Sequence, residues 1–237
     1  MRLSHSGLWR RRSGTFNEGI GQERTRHSLG ESGQQVIMRT KAIIIKKQNT
    51  NEYDQFVTCY TQEFGKLTAI AKSVLKHNSI QAMHLDVLNL VEFELINGKA
   101  MPIIAGAQSE NSYRDLKDSI PSLVVAHFFS EVIDKMVPEL EKDEKLWDFM
   151  VDLFDKLNRF EPGLIFLRQK QFTLLGLLGY SPEVAVMRPL LRSSDSRVAV
   201  STSFEPNRPG FTMLDDAFEY NAGFRLKSLK FLHSVLR

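Results

Sequence analysis

The chain has 237 residues, 42% hydrophobic residues, one cysteine and a formal net charge of +3. That length allows one large domain or two smaller ones, each with a buried core. The single Cys59 excludes an internal disulfide and a zinc site built from several cysteines, which fits a reducing compartment. No apolar run approaches the roughly 18 residues of a membrane span, and no secretory signal is present, so the sequence predicts a cytoplasmic protein.

Residues 1–37 are rich in Arg, Ser, Gly and Gln, and their apolar residues are scattered. Such a composition cannot form a core, so we predict a disordered extension. Met38 stands directly before the first predicted strand. We therefore hypothesise that Met38 is the natural start and that residues 1–37 are not native.

Residues 38–112 have the pattern of a small β domain. The turn signals Phe64-Gly65 and Asn97-Gly98 separate alternating segments, and Pro102 makes the last segment an edge strand. Five short strands suit a closed barrel, although an SH3-like barrel or a plain meander would give a similar pattern. The predicted strands are 41–47, 55–61, 66–73, 84–95 and 100–108.

The period of the apolar residues changes from two to 3.6 after Asn111, which predicts helices over most of 113–237. Pro121 is placed for the first turn of a helix, and an apolar stripe over 146–160 indicates a second. Residues 164–178 are apolar on most sides, so we expect a helix buried in a bundle. Residues 183–210 are irregular, with a strand candidate at 197–202. The sequence thus predicts an α+β protein.

Two stretches carry a family resemblance. The segments KAIIIKK (41–47), NEYD (51–54) and VTCYTQEFGKLTAIAKSV (57–74) resemble the opening of the bacterial RecO recombination mediators. Ser73 stands where a glycine is usual in that family. The segments FTLLGLLGYSP (172–182) and RLKSLKFL (225–232) are similar to its helical part and closing helix. The residues that match the N-terminal motif are Thr61, Glu63, Gly65, Lys66, Leu67, Ala71 and Lys72.

The resemblance implies an OB-type barrel over 38–112 that binds DNA and a helical domain over 113–237. Many family members have four zinc-binding cysteines in the region of 183–210; all four are absent here, so we expect no metal or other cofactor. It also implies a DNA repair protein that binds single- and double-stranded DNA, anneals complementary strands and helps load RecA onto strands coated by the single-stranded-DNA-binding protein (SSB). The implied protein partners are RecR and the C-terminal tail of SSB, with RecA as an indirect one.

The candidate DNA-binding residues lie in 39–78, which holds seven Lys and Arg against three Asp and Glu. Lys41 and Lys47 share strand parity, as do Lys66 and Lys72, so two strands are expected to present one cationic face. The alternative is that these cations only solubilise the sheet edges. The basic candidates are Arg39, Lys41, Lys46, Lys47, Lys66, Lys72 and Lys76. The candidate stacking residues are Tyr53, Tyr60 and Phe64, and for each of them a core position is the leading alternative.

The helical part supplies candidate partner-binding cations, because a groove that takes an acidic, apolar tail needs a positive charge for its carboxylate. Arg159, Arg168 and Lys170 are available. They are equally compatible with surface charges that solubilise the bundle.

The sequence offers no constellation for covalent chemistry, so we predict a protein that is not an enzyme. Cys59 is expected to be a small core residue and His127 an ordinary helix residue rather than a metal ligand. An adaptor that binds only proteins is the alternative function, which the near-neutral charge of 38–237 supports. A metal-dependent nuclease that uses the carboxylates of 139–144 is the least favoured hypothesis.

Overall fold

The computed structural model describes residues 37–98, 100–180, 209–223 and 225–236. The predictions made for 1–36 and for the strand candidate at 197–202 lie outside these residues. The first strand begins at Ile37, one residue before Met38. Pro209 and Gly210, which were expected to end the irregular segment, instead begin a helix.

Five strands form a closed barrel in the order β1-β2-β3-β5-β4. The β1–β4 pair is antiparallel, and the ring closes through a short parallel contact in which Ile70 pairs with Ile103 and Ala71 with Ile104. This architecture, followed by helices, confirms the predicted α+β class with an N-terminal OB-type barrel. The strands are β1 Ile37–Asn49, β2 Gln55–Thr61, β3 Gly65–Ala71, β4 Leu90–Ile96 and β5 Ile103–Asn111.

The strand predicted at 84–95 begins only at Leu90. The residues before it form a short helix, α1 (Gln81–His84), and a turn in which Leu88 has a φ of 68°. Leu85 packs in the barrel interior, whereas Leu88 packs in the helical core. The two leucines therefore do not lie on one face of a strand. The last strand likewise starts after Pro102, whose carbonyl accepts a hydrogen bond from Ile70 N at 2.9 Å.

Within the described residues, six further helices follow β5, the last strand of the barrel. Ser119 caps α3 with Pro121 in the first turn, as predicted, and Asp143 caps α4 by accepting from Lys145 N and Leu146 N. None of the described helices has the length and apolar character needed to cross a membrane. The helices are α2 Arg114–Asp118, α3 Ile120–Met136, α4 Glu144–Arg159, α5 Leu164–Leu177, α6 Pro209–Ala222 and α7 Lys227–Val235.

The barrel and the helices are joined by a shared core. Cys59 and its neighbours fill the barrel interior, as expected for a small apolar residue, and burial raises the pKa of the Cys59 thiol. Ile43, Ile45 and Tyr60 point out of the barrel and pack within the helical cluster. The predicted domain boundary at 112 and 113 falls in the connection between β5 and α2, and it stays a prediction.

The β2–β3 hairpin contacts the connection between α3 and α4. Gly65 has a φ of 67°, and a Cβ there would lie 1.9 Å from Glu141 O, so this close approach requires glycine. Leu140 N donates to Lys66 O at 2.8 Å, and Thr61 Oγ1 donates to Gly65 O at 2.8 Å. Gly65 and Lys66, which match the family's N-terminal motif, therefore lie at the contact between the hairpin and the helices, and Thr61 stabilises the turn itself.

Candidate nucleic-acid interface

The helices of the described residues leave one part of the barrel's outer surface uncovered. Phe56 on β2 pairs with Ile70 on β3, which pairs with Ile103 on β5, and all three side chains are half-buried. They point outward because their neighbours Val57 and Ala69 line the barrel interior. An aromatic and two aliphatic side chains thus form a continuous strip across three strands.

A polar row borders this strip. Thr58 pairs with Thr68, with their hydroxyl oxygens 3.2 Å apart, and Lys46 pairs with Thr58 on the other side. We call Lys46, Phe56, Thr58, Thr68, Ile70 and Ile103 the outer face. Phe56 was not predicted from the sequence. It alternates with the apolar Val57 and Cys59 and lies on the same side of β2 as Thr58, and this pattern could have indicated an outward-facing aromatic residue.

The loop between β1 and β2 and the segment after β3 lie together at one end of the barrel. Asp54 Oδ1 accepts from Ser73 N at 2.6 Å, and Leu75 N donates to Tyr53 O at 3.0 Å. Lys76 Nζ lies 5.5 Å from the centroid of the Tyr53 ring, which is 43% exposed. This end of the barrel therefore presents an accessible aromatic ring beside a cation.

The acidic side chains of this loop moderate its charge. The pKa of Asp54 is lowered by hydrogen bonds from Asn51 and Ser73 and by the charges of Lys72 and Lys76, so it is an anion at neutral pH. The hydroxyl of Tyr53 donates to Glu52, which raises the pKa of that phenol. Lys72 and Lys76 are exposed.

Three other predicted DNA-binding cations contact carboxylates on β4, on β5 and in the turn before β4. Arg39 Nε donates to Glu94 at 2.8 Å, and Lys41 Nζ lies 2.6 Å from Glu110. Lys47 Nζ lies 3.0 Å from Asp86. Exposed pairs of this kind are weak and exchange partners easily. A role for these residues in binding DNA stays a prediction.

The expected single cationic face is wrong in two respects. A β-bulge shifts the register between Ile44 and Lys46, so Lys47 pairs with the interior residue Val57 and no longer shares a face with Lys41. Lys66 is only 8% exposed, and its Nζ donates to Asp134 O at 2.7 Å. Burial lowers the pKa of Lys66 despite the nearby carboxylates of Asp134 and Glu139.

The two remaining aromatic candidates are not on the outer face. Tyr60 is fully buried and its hydroxyl donates to Asp143 O at 3.3 Å, which confirms the core alternative. Phe64 is half-buried and packs against the barrel interior.

The three candidate partner-binding cations have different environments. Arg168 is 4% exposed and forms a bidentate pair with Asp215, so neither the predicted partner-binding role nor the alternative of a surface charge fits this residue. Lys170 Nζ lies 2.6 Å from Asp152 and over the rings of Phe149 and Phe166. Arg159 is exposed at the end of α4.

The acidic segment 139–144 contributes to structure in the described part of the chain. Glu139 accepts a long hydrogen bond from Thr68 at 3.4 Å, and Lys142 lies near Glu63 and Glu144. Within the described residues, no group of three His, Cys, Asp or Glu side chains is placed to hold a metal ion. His127 lies on the exposed side of α3, where partial desolvation by its neighbours lowers its pKa.

Two domains of one known family match the middle of the chain. Residues 36–113 match the family described as "Recombination protein O N terminal", and residues 118–186 match "Recombination protein O C terminal". The first match spans the barrel. The second begins before α3 and continues through α5.

Curated relatives give the same result. The chain is 29% identical over 146 residues to a "DNA repair protein RecO" of Dehalococcoides mccartyi, covering 62% of this chain and 58% of the relative. Proteins of the same name from a Thermoanaerobacter species and a Nostoc species are 24% and 27% identical, over 149 and 153 residues. Each match covers 62% of this chain, and the relatives are covered over 60% and 52% of their lengths, so the chain spans less than two thirds of each of these three relatives. Together with the two domain matches, these relatives show that the chain belongs to the RecO family.

Proposed function

We propose that this protein binds single- and double-stranded DNA through the outer face and the adjoining Tyr53 loop, and anneals complementary strands. In this proposal it helps load RecA onto strands coated by SSB, in the cytoplasm and on nucleoid DNA. RecR and the C-terminal tail of SSB are its protein partners. It acts by binding rather than by covalent chemistry.

The observation that carries this proposal is the uncovered strip centred on Phe56. OB barrels bind single strands by stacking bases on aromatic side chains and by tracking the backbone with cations. Phe56 and Ile70 offer apolar surface for a base, and the small Thr58 and Thr68 leave room beside it. Lys46 borders the strip, and Lys72 follows directly after β3, which carries Ile70.

Strand annealing follows from the same charges. Repulsion between two phosphate backbones opposes pairing, and a cationic surface that contacts one strand screens its charge from the other. Lys76 is exposed beside the Tyr53 ring, and Lys72 is exposed near Asp54 of the same loop, so both are placed to contact a backbone whose bases stack nearby. Contacts of this kind carry no sequence preference, which suits a protein that must act on any gap.

A groove on the helical part supports the proposed binding of an apolar tail. It has a volume of about 550 Å³ and is lined by Pro121 before α3's second turn, by the α4–α5 connection and by Leu236 after α7. Ile165 on its wall is 46% exposed. Peptide tails bind in such grooves by burying apolar side chains, and Arg159 is the exposed cation that precedes the α4–α5 connection.

An adaptor that binds only proteins is the second candidate function. The pairing of Arg39, Lys41 and Lys47 with carboxylates favours it, because it reduces the positive charge available to a polyanion. A protein of this kind would bind no oligonucleotide even at low salt.

The Phe56→Ala variant tests the proposal. Loss of one stacked base costs about 1–3 kcal/mol, so affinity for a fluorescent oligo-dT strand should fall by a factor between roughly 5 and 150. Tyr220→Ala is the matched control, since Tyr220 is 87% exposed on α6. Fluorescence anisotropy at low salt measures both. Equal affinities for the two variants would contradict the assignment of the outer face, and no binding by the unmodified protein would favour the adaptor.

A further inference from the structure

A basic cleft lies where the β1 bulge, helix α3 and the start of α7 meet. It has a volume of about 390 Å³, and its lining includes four cationic side chains and two carboxylates. The cations come from three separate elements. They are Lys46 on β1, Lys135 on α3, Arg225 two residues before α7, and Lys227 at its first position.

The two carboxylates of the cleft are already engaged. Glu131 accepts three hydrogen bonds from the start of α7, from Lys227 N at 3.1 Å, Ser228 N at 2.9 Å and Ser228 Oγ at 2.6 Å. Asp134 lies 3.8 Å from the amino groups of both Lys46 and Lys135. The cleft therefore keeps an excess of positive charge, and its carboxylates are not available to bind a cation.

A buried hydroxyl group is evidence that this cleft binds a ligand. Ser130 lines it and is 2% exposed, and its Oγ has no hydrogen-bond partner among the described residues. An unpaired buried hydroxyl is costly, and in native structures such a group is usually satisfied by a ligand, an ion or water. A hydroxyl can donate to an oxyanion that the neighbouring cations hold.

We propose that the basic cleft binds a backbone phosphate of the DNA strand that lies on the outer face. Lys46 belongs to both surfaces: it pairs with Thr58 on the outer face and lines the cleft. A strand that leaves the Phe56 strip past Lys46 enters the cleft and meets Arg225 and Lys227. This inference rests on the proposed function and extends the DNA path from the barrel onto the helices.

The lining favours phosphate over an apolar peptide. Ile45 is the one aliphatic residue among the lining residues of this cleft, so it offers little surface for leucine or phenylalanine side chains. Multiple Lys and Arg donors around a hydroxyl are the usual surroundings of a phosphate. Within the described residues, neither Arg225 nor Lys227 forms a side-chain ion pair.

The test neutralises the cleft without touching the outer face. In the Arg225→Gln/Lys227→Gln variant, loss of one phosphate contact should make the log-log salt slope of oligo-dT binding shallower by about 0.7, which is about fivefold in affinity at 0.1 M salt. Lys145→Gln/Lys230→Gln is the matched control, because both residues are exposed and lie outside the cleft. The control should keep the slope of the unmodified protein.

The outcomes separate this inference from the proposed function. Binding by the unmodified protein with equal slopes for both double variants would overturn the cleft and leave the outer face standing. No binding by the unmodified protein would overturn both.

A second readout is the NMR signal of His127, which lines the cleft. It should shift with oligo-dT, and with millimolar inorganic phosphate, in the control but not in Arg225→Gln/Lys227→Gln. A shift with inorganic phosphate but not with oligo-dT would assign the cleft to a free anion and overturn the proposal. A shift with an acidic, phenylalanine-containing peptide but not with oligo-dT would make it a peptide site, with the same consequence.

Discussion

Arg168 is held inside the helical part by a hydrogen-bonded network. Its Nη2 donates to Asp215 Oδ2 at 2.8 Å and its Nη1 to Gln171 Oε1 at 2.8 Å, while Gln171 Nε2 donates to Asp215 Oδ1 at 2.9 Å. These contacts tie α5 to α6 across 47 residues of sequence. A charge buried in this way depends on its partner, because an unpaired charge in the interior is strongly unfavourable.

Removal of the guanidinium should therefore be costly. We expect Arg168→Ala to lower the free energy of unfolding by about 3–5 kcal/mol, because it leaves Asp215 buried without its bidentate partner. Arg159→Ala, at an exposed position, should change it by less than about 0.5 kcal/mol. Urea unfolding followed by circular dichroism measures both. Similar stabilities for the two variants would show that the network contributes little.

Contacts between residues far apart in the sequence also explain why two cations were wrongly predicted to be binding residues. Lys66 was predicted to bind DNA from its charge, its strand parity and its match to the family motif, and Arg168 was predicted to bind a partner from its charge. Their partners, Asp134 O and Asp215, lie 68 and 47 residues away in the chain. No local pattern encodes such pairs, so burial of a charged residue can be recognised only once the tertiary contacts are known.

Helix α7 depends on a residue from another element. It has no side-chain cap of its own, and Glu131 on α3 accepts hydrogen bonds from its first two backbone N–H groups, those of Lys227 and Ser228. Burial raises the pKa of Glu131, but the hydrogen bonds from Ser228 and Lys227 outweigh burial, and the net pKa lies below the usual 4.5. The ionised carboxylate thus anchors α7 to α3.

A pH dependence follows from this lowered pKa. A carboxyl whose pKa is lower in the folded state stabilises the protein above 4.5, and this contribution is lost as the pH falls through the folded-state pKa. Glu131→Gln should therefore lower the free energy of unfolding by about 1–2 kcal/mol at pH 7. The difference from the unmodified protein should shrink as the pH falls below 4.5. Urea titrations over this range measure it, and a difference that stays constant with pH would contradict the cap.

At the level of elements, period and turn signals were sufficient for most of the fold. The hairpin at Phe64-Gly65 and the helices after Asn111 were predicted because local alternation and helical spacing encode them. The bulge near Ile45 and the helix α1 were not predicted. Both features depend on whether an apolar side chain packs in the barrel or in the helical core. Leu85 packs in the barrel, whereas Ile45 and Leu88 pack in the helical core, and the alternation of apolar residues does not distinguish the two cores.

Across the whole molecule, the outer surface of the barrel is divided between two roles. One part lies against the helices and includes Ile43, Tyr60 and Lys66. Gly65, which has no Cβ, makes this close approach possible. Phe56 and Ile70 remain half-exposed on the uncovered part. Gly65 and Lys66 of the family motif therefore contribute to the contact between the barrel and the helices, whereas Lys72, a further motif residue, is one of the proposed DNA contacts. The sequence predicted the barrel, but the cationic face expected from Lys41, Lys47, Lys66 and Lys72 did not include Phe56.

Strand annealing tests the central claim most directly. Two complementary oligonucleotides labelled as a fluorescence donor and acceptor are mixed with the protein at low salt, and the rate of duplex formation is measured. We predict that the unmodified protein accelerates annealing and that Lys72→Glu/Lys76→Glu loses most of the acceleration. The variant replaces two exposed cations, Lys76 beside Tyr53 and Lys72 near Asp54, with charges of the same sign as the DNA backbone. The control Lys145→Glu/Lys230→Glu makes the same change in net charge outside the barrel and should anneal strands at the unmodified rate. Equal rates for the two variants, or no acceleration by the unmodified protein, would contradict the account.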